Sequence, residues 1–217
     1  MKNVIISISA IFSLGFNFLS AQETNRYQQE MQQTLALYDS VKTLADYQNI
    51  VNRFERVATA EKEEWLPGYY AGLTYVYMSF VRGLEDDARD EYLDLAQNWV
   101  EKCQELSPNN AELVVLEGYV KMAKVSVSPA IRGAYMTPQV SALFSKAVKM
   151  DPQNPRAILM QGRWKLGTAQ FFGSSTDEAC ALVAASIPLF EAEDGSSINP
   201  HWGLNQAQRV SANCAEK

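Results

Sequence analysis

One histidine, three cysteines and a dense run of carboxylates are the residues of this 217-residue chain whose types could do chemistry. His201, in "NPHWG", has no second histidine with which to build a His-pair metal site, and its place after a proline at a helix start suits a turn. Cys103, Cys180 and Cys214 are an odd number at wide spacings, which excludes a dense disulfide framework and a metal-ligand pair close in sequence. Cys103 falls where a small buried residue is wanted and reads as a packed thiol. Cys180 and Cys214, on the last two helices, could bridge in an oxidising compartment. The carboxylates of "EDDARDEYLD" include Asp86 and Asp87 at a helix beginning, where the helix dipole favours negative charge without catalysis.

The chain has no G-x-S-x-G elbow, no phosphate loop and no H-E-x-x-H. No catalytic residue, cofactor or metal is therefore expected, and an enzyme would have to rest on dispersed carboxylates. Arg156 and Arg163 stand seven residues apart on one helix face. They could hold a carboxylate or a peptide C-terminus, or pair with acids of a neighbouring helix. The net charge of −6, with no basic stripe interleaved with aromatics, disfavours nucleic acid.

The elements that position these residues repeat. "KCQELSPNNAELVVLEG" from Lys102 returns as "KAVKMDPQNPRAILMQG" from Lys146, an offset of 44 residues. Within it, Val114-x-x-Glu117-Gly118-x-x-Lys121 matches Ile158-x-x-Gln161-Gly162-x-x-Lys165, and Gly68-x-x-Ala71-Gly72-x-x-Tyr75 fits the same frame. Partner helices carry Ala96, Val100 and Cys103 before Pro108, then Val140, Phe144 and Ala147 before Pro152, with Ile50, Phe54 and Val57 as an earlier half-unit. A small residue on one helix lets its partner cross closely, and the large residue fills the gap between pairs. Helices are predicted over 25–42, 46–60, 66–81, 89–106, 111–125, 138–150, 155–168, 176–192 and from 202. Pro188 should kink or stop the eighth.

With its small-residue frame, small-x-x-x-aromatic pairs and closing prolines, the chain resembles the tetratricopeptide repeat. Glu117, Gln161, Lys121 and Lys165 depart from that family's preferred residues, and the units of 44 to 46 residues exceed its ~34. The surplus is assigned to loops between the helices of a unit: "RGLEDDAR", "VSVSPAIRGAYMTPQ" and "GTAQFFGSSTDEA". The segments "EWLPGYY", "RGAYMTP", "DPQNPRA", "FFG" and "NPHWG" are also similar to small exported repeat proteins of Bacteroidetes, most of unassigned function.

The resemblance implies an all-α fold: a right-handed α-α superhelix, a solenoid of about eight to nine helices in three and a half pairs plus a closing helix. Units fall at about 24–64, 65–110, 111–154 and 155–200, with the closing helix at 201–217, all in one domain over 22–217. Residues 1–21, with an apolar run from Val4 to Leu19 and "SAQ" after it, read as a signal peptide cleaved near Ala21, the alternative being an uncleaved anchor. No later stretch is apolar enough to span a membrane, so a periplasmic or secreted protein is expected.

Such solenoids bind extended partners along the concave face lined by the first helix of each pair. Inward positions are Leu66, Tyr69, Leu73 and Val76; Glu112, Val115 and Tyr119; then Arg156, Leu159 and Arg163. The aromatics among them serve either as core or as groove. At the loop edge, Arg132, Tyr135, Met136, Phe171 and Phe172 either meet a partner or seal the helix ends. The expected function is a non-enzymatic protein- or peptide-binding scaffold of the cell envelope. The alternatives are a structural or self-associating envelope component, its concave face filled by another copy or by the closing helix, and the enzyme of dispersed carboxylates.

Overall fold

Three helix pairs turn on glycines. In the computed structural model, which describes residues 26–215, a Cβ added at Gly68 would lie 2.6 Å from Cys103 Sγ, one at Gly118 2.5 Å from the Phe144 ring, and one at Gly162 2.9 Å from Val183 and 3.1 Å from the Ala179 carbonyl. Gly72 similarly faces the Ala96 carbonyl and Trp99. These glycines sit on the first helix of three pairs: α3 (Trp65–Met78) with α4 (Asp86–Leu106), α5 (Ala111–Val127) with α6 (Pro129–Met150), and α7 (Pro155–Phe172) with α8 (Asp177–Glu191). A side chain at such a contact overpacks it, at a cost of ~1–3 kcal/mol.

A helix over 26–35, α1, continues as a 3-10 turn through Ala36–Ser40 and precedes α2 (Leu44–Ala60); α9 (Leu204–Ala215) ends the array on α8. Among the described residues the chain is entirely helical, nine helices with consecutive ones packed as a helical superhelix, as the periodicity predicts. The signal segment expected over 1–21 lies outside the described residues.

Local chemistry sets the boundaries. Thr43 and Asp46 form a reciprocal capping box at α2. In "SPNN" and "DPQN" the last asparagine caps the following helix: Asn110 accepts from the Glu112 N–H at 2.9 Å, and Asn154 from that of Ala157 at 3.0 Å. The proline two residues earlier keeps the preceding helix from running on. Helix α3 is buried from Leu66 to Val76 on every side, a central helix that other helices surround.

Two of the predicted loops are helical. "VSVSPAIRGAYMTPQ" is divided between the end of α5 and the first turns of α6, with only Ser128 between them, and "GTAQFF" continues α7 to Phe172. Pro129 is the first residue of α6, where its missing N–H costs no intrahelical bond. The surplus length over the family unit thus lengthens helices at these two places. Helix α8 also runs through Pro188 to Glu191. Ser175 and Glu178 have the spacing of a capping box, but the box does not close: the cap is Thr176, without a side-chain bond, and Ser175 Oγ accepts from the Asp177 N–H instead.

Candidate functional site

Most of the predicted concave-face residues lie inside the protein. Leu66, Tyr69, Leu73, Val76, Val115, Tyr119 and Leu159 are buried, with Glu112 and Arg156, while Arg163 is half-buried. What covers them is the chain's own segment between α8 and α9. Trp202 donates its indole N–H to Tyr69 Oη at 2.7 Å and stacks on Tyr119 with ring centroids 5.9 Å apart. Tyr70 donates to the Ile198 carbonyl at 3.0 Å. Gly203, at φ 122°, turns the chain into α9 where a Cβ would meet Phe190 at 2.5 Å.

A buried ionic network ties three helix pairs to that segment. Arg156 Nε donates to Glu112 at 2.8 Å, and its Nη1 and Nη2 form a fork on Glu193. Asn154 and Tyr69 also donate to Glu112, at 2.6 and 3.1 Å. Burial alone would lower the Arg156 pKa, but the Glu193 hydrogen bonds and the Glu112 charge outweigh it and raise it. Burial and then the Glu112 charge hold the Tyr69 phenol well above its ordinary range, so it stays a neutral donor. Arg156 is thus occupied within the protein. Arg163 donates to Gln206 on α9 at 2.8 Å and lies over the Tyr119 ring, so the two arginines serve separate contacts.

The α6–α7 edge is built differently. The first turns of α6 and the last turns of α7 flank a slot of about 520 Å³, with Trp164, Phe171 and Phe172 on one side and Pro129, Ala130 and Pro138 on the other. Gly133 and Gly167 line it, and a Cβ on either would meet no atom within 4 Å. Phe171 and Phe172 are 75% and 72% exposed and meet edge to face at 5.0 Å. Beside the slot on α6, Ile131 and Tyr135 are also exposed, while Met136 turns into the core. Arg132 is committed to Asp90 and the Lys124 carbonyl, which leaves it a structural partner of α4. Sequence singled out Phe171 and Phe172 but not Trp164, Gly133, Gly167 or the prolines opposite, because these come together only once both segments are helical.

Cys180 and Cys214 form a disulfide between α8 and α9, with Cα atoms 5.9 Å apart. Cys103 is buried, its thiol donating to the Trp65 carbonyl and pushed up to about 12 by burial. His201 is exposed, with Nδ1 2.9 Å from the Asn199 carbonyl. Among the described residues no group of three His, Cys, Asp or Glu side chains could hold a metal ion, and no helix is long and apolar enough to cross a membrane.

No protein-family model matches the chain, and no curated protein does. Among solved structures, the chain is similar to the HusA haemophore from Porphyromonas gingivalis, with a TM-score of 0.77 and 26% identity over 88% of this chain and 94% of that one.

Proposed function

We propose that this chain is a non-enzymatic, exported binding protein whose ligand is a flat, mostly apolar ring of the haem and porphyrin class, held in the slot between α6 and α7. The observation that carries the reading is the slot itself: Phe171 and Phe172 stand in water beside an apolar cleft floored by two glycines. Exposed aromatic surface around a cleft of this size is what a ligand covers. The likeness to a haemophore over nearly the whole chain supports the ligand class. The disulfide and the N-terminal apolar run support export.

Among the described residues, the slot's lining contains no histidine, cysteine, methionine or tyrosine. The ring would therefore be held by its faces, with carboxylate groups left in water and no side chain on the iron. A protein or peptide laid along the whole concave face, as the repeat resemblance implies, would first have to displace Ile198 and Trp202. The scaffold reading accordingly narrows to surfaces that stay open.

Absorbance titrations with haem and with iron-free protoporphyrin test this. Both are expected to bind with affinities within a few-fold of each other, and Gly167→Leu, which fills the slot, should weaken both at least tenfold while circular dichroism stays unchanged. Unaltered binding by the folded variant would refute the slot as the site.

A further inference from the structure

A second cavity, of about 1020 Å³, opens on the part of the concave face that the C-terminal segment does not cover. It lies between the 3-10 turn before α2, the C-terminal part of α3, Tyr119 in the middle of α5, and the start of α9. Its wall is a continuous aromatic series: Tyr47 to Tyr77 at 6.2 Å, Tyr77 to Tyr119 at 6.5 Å, and Tyr119 to Trp202 at 5.9 Å between ring centroids. Among the described residues, no side-chain hydrogen bond reaches the hydroxyls of Tyr47, Tyr77 and Tyr119, whereas that of Tyr38 meets Thr74.

Charge distinguishes this basin from the slot. Lys42, Arg82 and Arg209 line it and are exposed, with Asp39 the one acid in the lining among the described residues. Among the described residues none of the three cations is within ion-pair distance of an acid, whereas Lys124, Arg132, Arg156 and Lys165 all are. On a chain of net charge −6 this makes a local cationic mouth. Burial holds the Tyr47 and Tyr77 phenols above their ordinary range, so both remain O–H donors at neutral pH.

We propose that this basin is a second binding site, for an aromatic carboxylate: a planar ring against the Tyr77–Tyr119 wall, with its carboxylate between the cations of the mouth. The cations only donate and the hydroxyls can donate, so a carboxylate gains ion pairs at the mouth that a neutral amide lacks. A free aromatic acid and the C-terminal carboxylate of a peptide ending in an aromatic residue share this chemistry.

Isothermal titration with indole-3-acetate, indole-3-acetamide, the peptide Gly-Gly-Trp and its C-terminal amide separates the sources. At least one acid is expected to bind, with its amide about tenfold weaker or more. The tighter of the two acids identifies a small molecule or a protein C-terminus as the source. The double variant Arg82→Gln with Arg209→Gln, both on the surface, should weaken the acid about tenfold, while Phe171→Ala with Phe172→Ala should leave it unchanged. Equal binding of acid and amide, no heat from any probe at millimolar concentration, or indifference to the charge variant in a folded protein overturns the proposal. None of these results bears on porphyrin at the slot, which the slot variants report separately.

Discussion

The part of the concave face around Tyr69 and Tyr70 and the α6–α7 edge are both built from aromatic residues of the first helices of their pairs, yet one is closed and the other open. There the aromatics are Tyr69 and Tyr70, and the C-terminal segment meets them with groups of matching polarity, the Trp202 indole and the Ile198 carbonyl, while Glu193 binds the neighbouring Arg156. At the edge they are Phe171 and Phe172, which offer no hydrogen bond, and no segment of the described chain covers them. The difference teaches that aromatic content alone does not mark a binding face. A polar handle lets the chain seal a surface with its own hydrogen bonds, and its absence leaves a surface that only an apolar partner satisfies.

Removing the centre of the closed region should have the largest effect. Arg156→Ala leaves Glu112 buried without its cation and Glu193 unpaired, so it should cost about 3–5 kcal/mol in urea unfolding. Replacing Cys180 and Cys214 by serine frees α9 from α8. Across a sequence separation of 34 residues the lost restraint is worth about 3–4 kcal/mol on the chain-entropy account, and hydrogen exchange should quicken first in α9 and around Trp202.

A smaller effect concerns pH. The Arg132 hydrogen bond holds the Asp90 carboxyl below the usual carboxylate range. A lowered folded-state value contributes stability that is present above the unfolded value and lost as pH falls through the folded one. Acid titration of stability should therefore be flatter in Asp90→Asn below about pH 4, by less than about 1 kcal/mol. The smallest effect on stability belongs to the open region: Phe171→Ala with Phe172→Ala should change unfolding by no more than about 0.5 kcal/mol while abolishing porphyrin binding. A large loss of stability there would mean that the two rings seal the core.

The repeat was legible because its landmarks are local. Gly118 and Gly162 recur 44 residues apart in the same frame, and Pro108 and Pro152 sit before asparagine caps, so the pairs follow from the repeat. The extent of α6 and α7 was not legible: Pro129 and Gly133 read as loop signals, although a proline at the first position of a helix is compatible with it. Closure of the concave face by the chain's own C-terminal part was read only as an alternative, and the residues that make it were not legible. Glu193 is 37 residues from Arg156 and Trp202 is 133 from Tyr69, so the reading of Arg156 as a partner of a neighbouring helix's acid could not name that acid. The slot was half legible, since Phe171 and Phe172 stood out but their opposite wall did not.

The two regions each carry one tryptophan whose indole N–H reports on them separately. Trp164 lines the slot and donates to Ser141 Oγ at 2.8 Å, and Trp202 closes the concave face on Tyr69. The most direct measurement is a ¹H–¹⁵N correlation spectrum of indole-labelled protein titrated with a diamagnetic metalloporphyrin. The Trp164 signal should shift with ligand, together with backbone amides of 164–172, while the Trp202 signal stays in place. A shift at Trp202 with Trp164 unmoved would contradict the account and place the ring on the concave face.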